Sequence, residues 1–470
     1  MTLRRSLGLV CLVAALHGLF FIWYQRPDWD TLWTDQDGYR RLGQVLATTG
    51  KFTRFPDAPT FVPEVLRTPL YPLFVAVVYR AFGVSQLPVA LAQTIIFMLI
   101  CIVVYATARR VTSERVAVAA AALTALFSPI PYFGALVMTE VWTTLMFALS
   151  MWLAVSALAE RGLRRFAWLG VLLALTTLSR PVFVLLPFAL AAVGLVLFPL
   201  MRVRERPRVA QWAAMLAMFA LTMTPWFAYN YVTLGRFTIS PAGGVGRGLW
   251  EGSWQATWSG RLQNELTHLK DDIEDRAELD RRVHEVAVRE ALPAGPMLEY
   301  VHQYDDIRRI WTEPSDPAAR AVARVKADEE YRRVAIENLR RDTAAHLVKR
   351  LTRGLFILWA GEIPIRYSDI NAVPPILIRA CWAVQAVFFL LALWGGFVLL
   401  RSGRAAAGLV LLAPVLYISA VHFPLLTEAR QSLPGQPDLL LLATIGAAHL
   451  LGRSLAVEPQ VHERQHLREP

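Results

Sequence analysis

Four places in the chain set charged side chains where they could do chemistry. The first is Trp33-Thr-Asp35-Gln-Asp37-Gly-Tyr39, two carboxylates at i and i+2 with a tyrosine four residues after the first. Such a pair can act as a general base and its helper, or hold a divalent cation with substrate phosphates. Asp is equally a good helix N-cap. On a helix Asp35 and Tyr39 share a face, with Asp37 to one side. The second place is Arg67-Thr-Pro-Leu-Tyr71-Pro72. Its guanidinium offers a planar fork to phosphate, or it snorkels to lipid head groups. The third is Met138-Thr139-Glu140-Val-Trp142, where Glu140 caps a helix or faces a bundle interior as a functional acid. The fourth runs from His422 to Pro434 and contains Glu428 and Arg430; alone it reads as a solvated turn.

The elements that must position these residues are apolar. Of 470 residues, 55% are hydrophobic and only 18% charged, with mean hydropathy +0.39. A soluble domain is about 45–50% apolar and roughly 25% charged, so a soluble enzyme and a disordered chain are both excluded. A membrane β-barrel would show ~10-residue alternating segments instead. Ten apolar runs approach the ~20 residues that cross a bilayer. The first is Ser6–Tyr24; the others start near Val84, Val116, Val141, Phe166, Pro181, Ala210, Pro375, Ala405 and Asp438. Phe166–Ser179 is short, and Leu351–Ala360 reads as a partial or re-entrant helix. Arg4 and Arg5 before the first run resemble a signal peptide, but no A-x-A-like site follows, so the run reads as an uncleaved span.

The expected fold is an all-α polytopic membrane protein with about ten transmembrane helices, interfacial helices in the first outer loop and a mostly helical long outer loop. The expected parts are a catalytic membrane module over 1–229 with its outer loop 25–83, an outer region 230–374, C-terminal spans 375–453 and a cytoplasmic tail 454–470.

Four short basic loops set the orientation: Arg109–Arg115, Arg161–Arg165, Arg202–Arg208 and Arg401–Arg404. With the N-terminus inside, ten spans put all four in the cytoplasm. The formal charge of +11 is then largely a topology signal, and nucleic acid is not an expected partner. The stretches Gln25–Gly83 and Asn230–Val373 face the other side, which puts all four chemical places on one outer face of a cell inner membrane. Within the first stretch, Asp35–Ala47 has helical periodicity and Thr68–Arg80 is too short and Pro-marked to span, so both suit the interface. Leu262–Arg353 is charged and mostly helical by pattern. Gly243-Gly244-Val-Gly246-Arg-Gly248 follows no strand and reads as a flexible turn rather than a nucleotide loop. Cys11, Cys101 and Cys381 lack metal-ligand spacing, and His462 and His466 fall in a polar tail. There is no Walker loop, H-E-x-x-H, G-x-S-x-G or CxxC, and no internal repeat of the transporter kind.

In order along the chain, these residues resemble the GT-C superfamily of integral-membrane glycosyltransferases, in the bacterial branch related to protein O-mannosyltransferases and lipid A aminoarabinose transferases. The resemblance rests on Asp35-Gln-Asp-Gly-Tyr39-Arg-Arg-Leu-Gly43, then Gly50-Lys-Phe52, Arg67–Pro72 ending in Phe82-Gly83, Thr139-Glu140, Leu178-Ser-Arg180-Pro181, and Pro225-Trp226 through Asn230, Gly235 and Phe237. Two positions depart from the pattern. Gln431 stands where the family's last outer loop has Tyr, and Tyr229 stands where it has Arg.

The resemblance implies transfer of a sugar from a polyprenyl-phosphate donor to an acceptor hydroxyl on a lipid, glycan or protein, outside the membrane and with inversion. It implies Asp35 as general base and Asp37 as its neighbour, with Arg67 on the lipid phosphate and Arg353 or Arg430 adding to it. Glu140 would orient sugar or acceptor, and Tyr39 and Tyr71 belong to the substrate-binding motifs. No cofactor is implied, and a divalent metal at Asp35 and Asp37 stays compatible with the spacing. The alternatives are a lipid-linked sugar translocase, which wants charges at mid-span and broken helix pairs, and a glycan polymerase or ligase using a polyprenyl-linked donor.

Overall fold

The computed structural model of the protein describes residues 3–29, 34–200, 207–366, 369, 372–453 and 455. Trp33, the arginines at 202, 204 and 206, and the tail with His462 and His466 lie outside the described residues.

The described chain is helical without strands. The first half runs α1 (Leu3–Gln25), α2 (Thr34–Thr49), α3 (Leu70–Phe82), α4 (Gln86–Val111), α5 (Glu114–Leu126), α6 (Pro129–Gly134), α7 (Glu140–Glu160) and α8 (Leu163–Ser179). A broken stretch follows: a 3₁₀ turn (Pro181–Leu185), α9 (Leu186–Ala192), a π-turn (Val193–Leu197) and α10 (Phe198–Leu200). The long α11 (Val209–Leu234) closes the first set of membrane helices. A charged helical domain comes next, built from α12 (Val245–Trp254), α13 (Gly260–Asp272), α14 (Arg276–Glu290), α15 (Ala294–Thr312), α16 (Pro317–Arg341) and α17 (Thr343–Lys349). A π-turn (Arg350–Gly354) and α18 (Leu355–Trp359) lead back to α19 (Pro375–Arg401), α20 (Ala405–His422) and α21 (Gln436–Leu450).

Each apolar run is helical, but the runs are not equal. Among the described residues, six helices are long and apolar enough to cross a membrane: Arg4–Asp28, Gln86–Val111, Glu140–Glu160, Val209–Leu234, Pro375–Arg401 and Ala405–His422. The runs at Val116, Phe166, Pro181 and Asp438 give helices of 13 and 17 residues, a broken stretch and a helix of 15 residues. At ~1.5 Å per residue, 13 residues reach roughly 20 Å, short of a hydrocarbon core of about 30 Å. Prolines set these limits: Pro129 and Pro131 follow α5, Pro181 and Pro187 break the next stretch, and Pro434 and Pro437 open α21. A short helix is tolerated where protein rather than lipid covers it, and Leu439 through Ala443 of α21 are each at most 1% exposed.

The basic loops Arg109–Arg115, Arg161–Arg165 and Arg401–Arg404 meet at one end of the bundle. Arg110 and Arg165 both pair with Glu160, Gln211 donates to the Arg161 carbonyl, and Arg404 donates to the Val111 carbonyl. The helical domain has its own aromatic core around Trp250, Tyr300, Tyr304 and Tyr331. The chain before α3 joins it: Val62 and Val65 pack with Ala242, Ala321 and Val325, and the Ala242 N–H donates to the Val65 carbonyl.

Candidate functional site

The first turn of α2 is pinned before it presents anything. Buried Gln36 accepts at Oε1 from Gln86 Nε2 (3.2 Å) and from the Val137 N–H (2.9 Å). That fixes the helix so that Asp35, next to it, keeps a side chain 52% exposed. Arg67, from the segment before α3, lies across the same turn. Its Nη2 stands 3.6 Å from Asp35 Oδ1, and its guanidinium rests 4.7 Å over the Tyr39 ring. Gly38 makes this approach possible, since a Cβ there would overlap the guanidinium. Nη1 of Arg67 is buried with no hydrogen-bond partner. Tyr39 meets Tyr71 edge-on at 5.1 Å, and Tyr71, fully buried, donates to Gln93 Oε1 at 3.1 Å.

The second half of the cluster comes from distant chain. Glu140 opens α7 and is 1% exposed. Its Oε1 accepts from Arg180 Nη2 at 2.9 Å and lies 3.9 Å from Arg430 Nη1, while Oε2 has no partner. Arg430 sits in a 3₁₀ turn, Ala429–Gly435, before α21. It reaches Asp35 Oδ2 at 3.5 Å and Glu428 Oε2 at 2.7 Å. Burial works against the Arg430 charge, but Glu428, Glu140 and Asp35 outweigh it and hold the guanidinium above its ordinary pKa. Gln431 makes a reciprocal cap with Glu428, accepting the Glu428 N–H. At the position where the family has Tyr, this chain therefore has a residue that stiffens the turn.

Asp35, Tyr39, Arg67, Glu140 and Arg430 thus come together, with Tyr71 one layer beneath them. Asp37 is exposed, and no described contact joins it to the cluster. Arg353 is not brought in: it donates to the Ala256 carbonyl at 3.1 Å. Both Asp35 carboxylate oxygens face guanidiniums. Among the described residues, no group of three or more His, Cys, Asp or Glu is placed to hold a metal.

Three members carried no site assignment from sequence. Arg180 and Glu428 lay within motifs already noted. Glu362 had no motif; it follows α18 in chain without regular structure, and its carboxylate accepts the Arg430 backbone N–H. Burial pushes Glu362 up to about 7, with Glu428 adding to the shift and Arg430 opposing it.

The cluster can hold an anion and take a proton at one place. Its guanidiniums lie around a half-exposed carboxylate, and a buried N–H and a buried carboxylate oxygen remain unspent.

Residues 66–229 match the family model described as dolichyl-phosphate-mannose-protein mannosyltransferase. No curated protein matches the chain in sequence. Among solved structures, the archaeal oligosaccharyltransferase AglB from Archaeoglobus fulgidus, in complex with an inhibitory peptide and a dolichol-phosphate, is similar with TM-score 0.54 at 14% identity, over 99% of this chain and 52% of that one. The apo oligosaccharyltransferase of the same organism gives 0.52 at 14% identity, over 98% and 51%. ArnT from Cupriavidus metallidurans bound to undecaprenyl phosphate gives 0.39 at 15% identity, over 94% and 78%. The chain spans about half the length of the archaeal enzymes it matches. Its fold is GT-C-like, and the resemblance read from the motifs is borne out. The family match contains Arg67, Glu140 and Arg180 and leaves out Asp35 and Arg430.

Proposed function

We propose that this multi-pass membrane protein is a glycosyltransferase. It moves a sugar from a polyprenyl-phosphate-linked donor to an acceptor hydroxyl of a lipid, glycan or protein, with inversion, on the outer face of the cell's inner membrane. The observation that carries the reading is the half-exposed Asp35 carboxylate between the Arg67 and Arg430 guanidiniums, with buried Glu140 behind them.

The chemistry follows from the leaving group. A polyprenyl phosphate leaves as an anion, so it needs cations aimed at its oxygens rather than an acid. Arg67, with one N–H pair unspent, and Arg430 supply them. The acceptor oxygen attacks the anomeric carbon from the face opposite the phosphate, and its proton passes to Asp35. The bond from anomeric carbon to phosphate oxygen breaks, and the electron pair leaves on the phosphate. Glu140 accepts a hydrogen bond from a sugar hydroxyl through its free oxygen. Asp37 adds negative charge beside the base. Tyr39 supports the Arg67 plane, and Tyr71 supports Tyr39. Holding donor and acceptor at one interface supplies much of the rate.

Undecaprenyl phosphate binding to the purified full chain in lipid nanodiscs tests this reading. Losing a charge-assisted phosphate contact costs about 1.5–3 kcal/mol, so Arg67→Ala is expected to weaken binding about 10- to 150-fold. Arg67→Lys should recover only part of that, because an ammonium replaces the planar fork with a point charge. Wild-type affinity in Arg67→Ala would make Arg67 a head-group anchor and remove it from the site.

A further inference from the structure

The segment that delivers Glu428 and Arg430 to the site is anchored from the helical domain. Arg350 begins the π-turn after α17 and is 1% exposed. Among the described residues no carboxylate pairs with it. Its guanidinium instead reads out backbone: Nε donates to the Phe423 carbonyl at 2.7 Å, and Nη2 donates to the carbonyls of His422 (3.2 Å) and Leu425. Nη1 donates to Gln255 Oε1. Gln255, just after α12, grips Thr427 from both sides. Its Oε1 accepts from the Thr427 N–H and hydroxyl, each at 2.9 Å, and its Nε2 donates to the Thr427 carbonyl at 2.7 Å. The Leu426 N–H donates to the Gly248 carbonyl of α12 at 2.7 Å. Gly252 allows α12 to lie against this segment, since a Cβ there would sit 2.7 Å from the Pro424 oxygen and the Leu425 carbonyl carbon.

Burying a guanidinium without a carboxylate is costly, and only well-filled donors offset it. Here each of the three donor nitrogens is spent on one stretch of chain, 422–425, or on the glutamine that holds residue 427. We propose that Arg350 is a positioning residue: with Gln255 it fixes segment 422–428 from the helical domain so that Glu428 and Arg430 stand opposite Asp35. The consequence for donor binding rests on the proposed function; the anchoring itself does not. The site is then assembled jointly, with Asp35 and Arg67 from the chain before α4 and Arg430 held in register by α12 and the turn after α17. A lysine could not replace Arg350, because only a guanidinium offers five donors in a fixed planar fork.

Amide hydrogen exchange on the full chain in lipid nanodiscs, with undecaprenyl phosphate binding measured in parallel, tests this. In Arg350→Gln, exchange at Leu426, Thr427 and Glu428 should rise by about tenfold or more, as expected for amides released from a local anchor, while the middle of α4 stays protected. Lipid binding should weaken as it does in Arg430→Ala, and the double variant should bind no worse than Arg430→Ala alone, because residues acting through one group are non-additive. Arg350→Lys keeps the charge and should fold; it is expected to leave the segment equally loose. Unchanged exchange at 426–428 in either variant, or additive losses in the double variant, overturns the proposal. Failure of the wild-type protein to bind the lipid overturns the donor reading alone, and the exchange data then decide the anchoring.

Discussion

Asp35 and Arg430 are 395 residues apart in sequence and 3.5 Å apart in space, and this separation governs which residues were legible. Asp35, Arg67, Glu140 and Arg430 announced themselves as charges beside apolar runs. Glu362 did not, because nothing local marks it. Its position in the site comes from the Arg430 backbone, and its shifted titration comes from burial. Arg353 illustrates the opposite error: two arginines lie three residues apart on one turn, and the carbonyls of 422–425 fall to Arg350. Glu362 also gives a pH signature. Its folded pKa of about 7 exceeds the ordinary value of 4.5, so its contribution to stability is complete below the lower value and lost as pH rises through the higher one. The melting temperature of the wild type, minus that of Glu362→Gln, should therefore fall between about pH 5 and about pH 8. A difference that stays flat over that interval would show that Glu362 is not held uncharged in the folded protein.

Helices were the most legible elements, since periodicity and apolar length are local properties. The two helices of the first loop fall at Thr34–Thr49 and Leu70–Phe82, close to the segments read from sequence as Asp35–Ala47 and Thr68–Arg80. Not legible was which runs are full spans, because a short helix such as α21 depends on the protein around it. Tyr71 shows the same limit at the level of contacts. Its motif marks it for substrate, yet it is fully buried with its hydroxyl on Gln93, which in turn donates to the carbonyls of Gly134 and Leu136. Tyr71→Phe should therefore cost about 1 kcal/mol of stability, the worth of one buried hydrogen bond, and leave lipid binding near the wild-type value. Binding lost tenfold with unchanged stability would place the hydroxyl on the ligand after all.

For the whole molecule, the basic loops Arg109–Arg115, Arg161–Arg165 and Arg401–Arg404 and the site occupy opposite ends of one bundle. The contacts from Arg110, Arg161, Arg165 and Arg404 mark one end. Asp35, Glu140 and Arg430 mark the other. We propose from the bias of Lys and Arg that the first end lies in the cytoplasm, so single cysteines at the exposed Val288 and Ala344 should react with an impermeant reagent from outside and one at Arg164 should not. Labelling of Val288 only from the cytoplasm would turn the site toward the wrong substrates. We propose that Asp35 takes the acceptor's proton during sugar transfer at the outer face. Asp35→Asn keeps the size and removes proton acceptance, and loss of a general base costs ~10²–10⁴-fold in rate. The most direct test is mass spectrometry of glycolipids and glycans from a strain lacking this protein, complemented with wild type or with Asp35→Asn. The strain should lose one sugar from one class of glycan, the wild type should restore it, and Asp35→Asn should insert normally and fail to restore it. Full restoration by Asp35→Asn, or a glycan profile unaffected by the deletion, would contradict it.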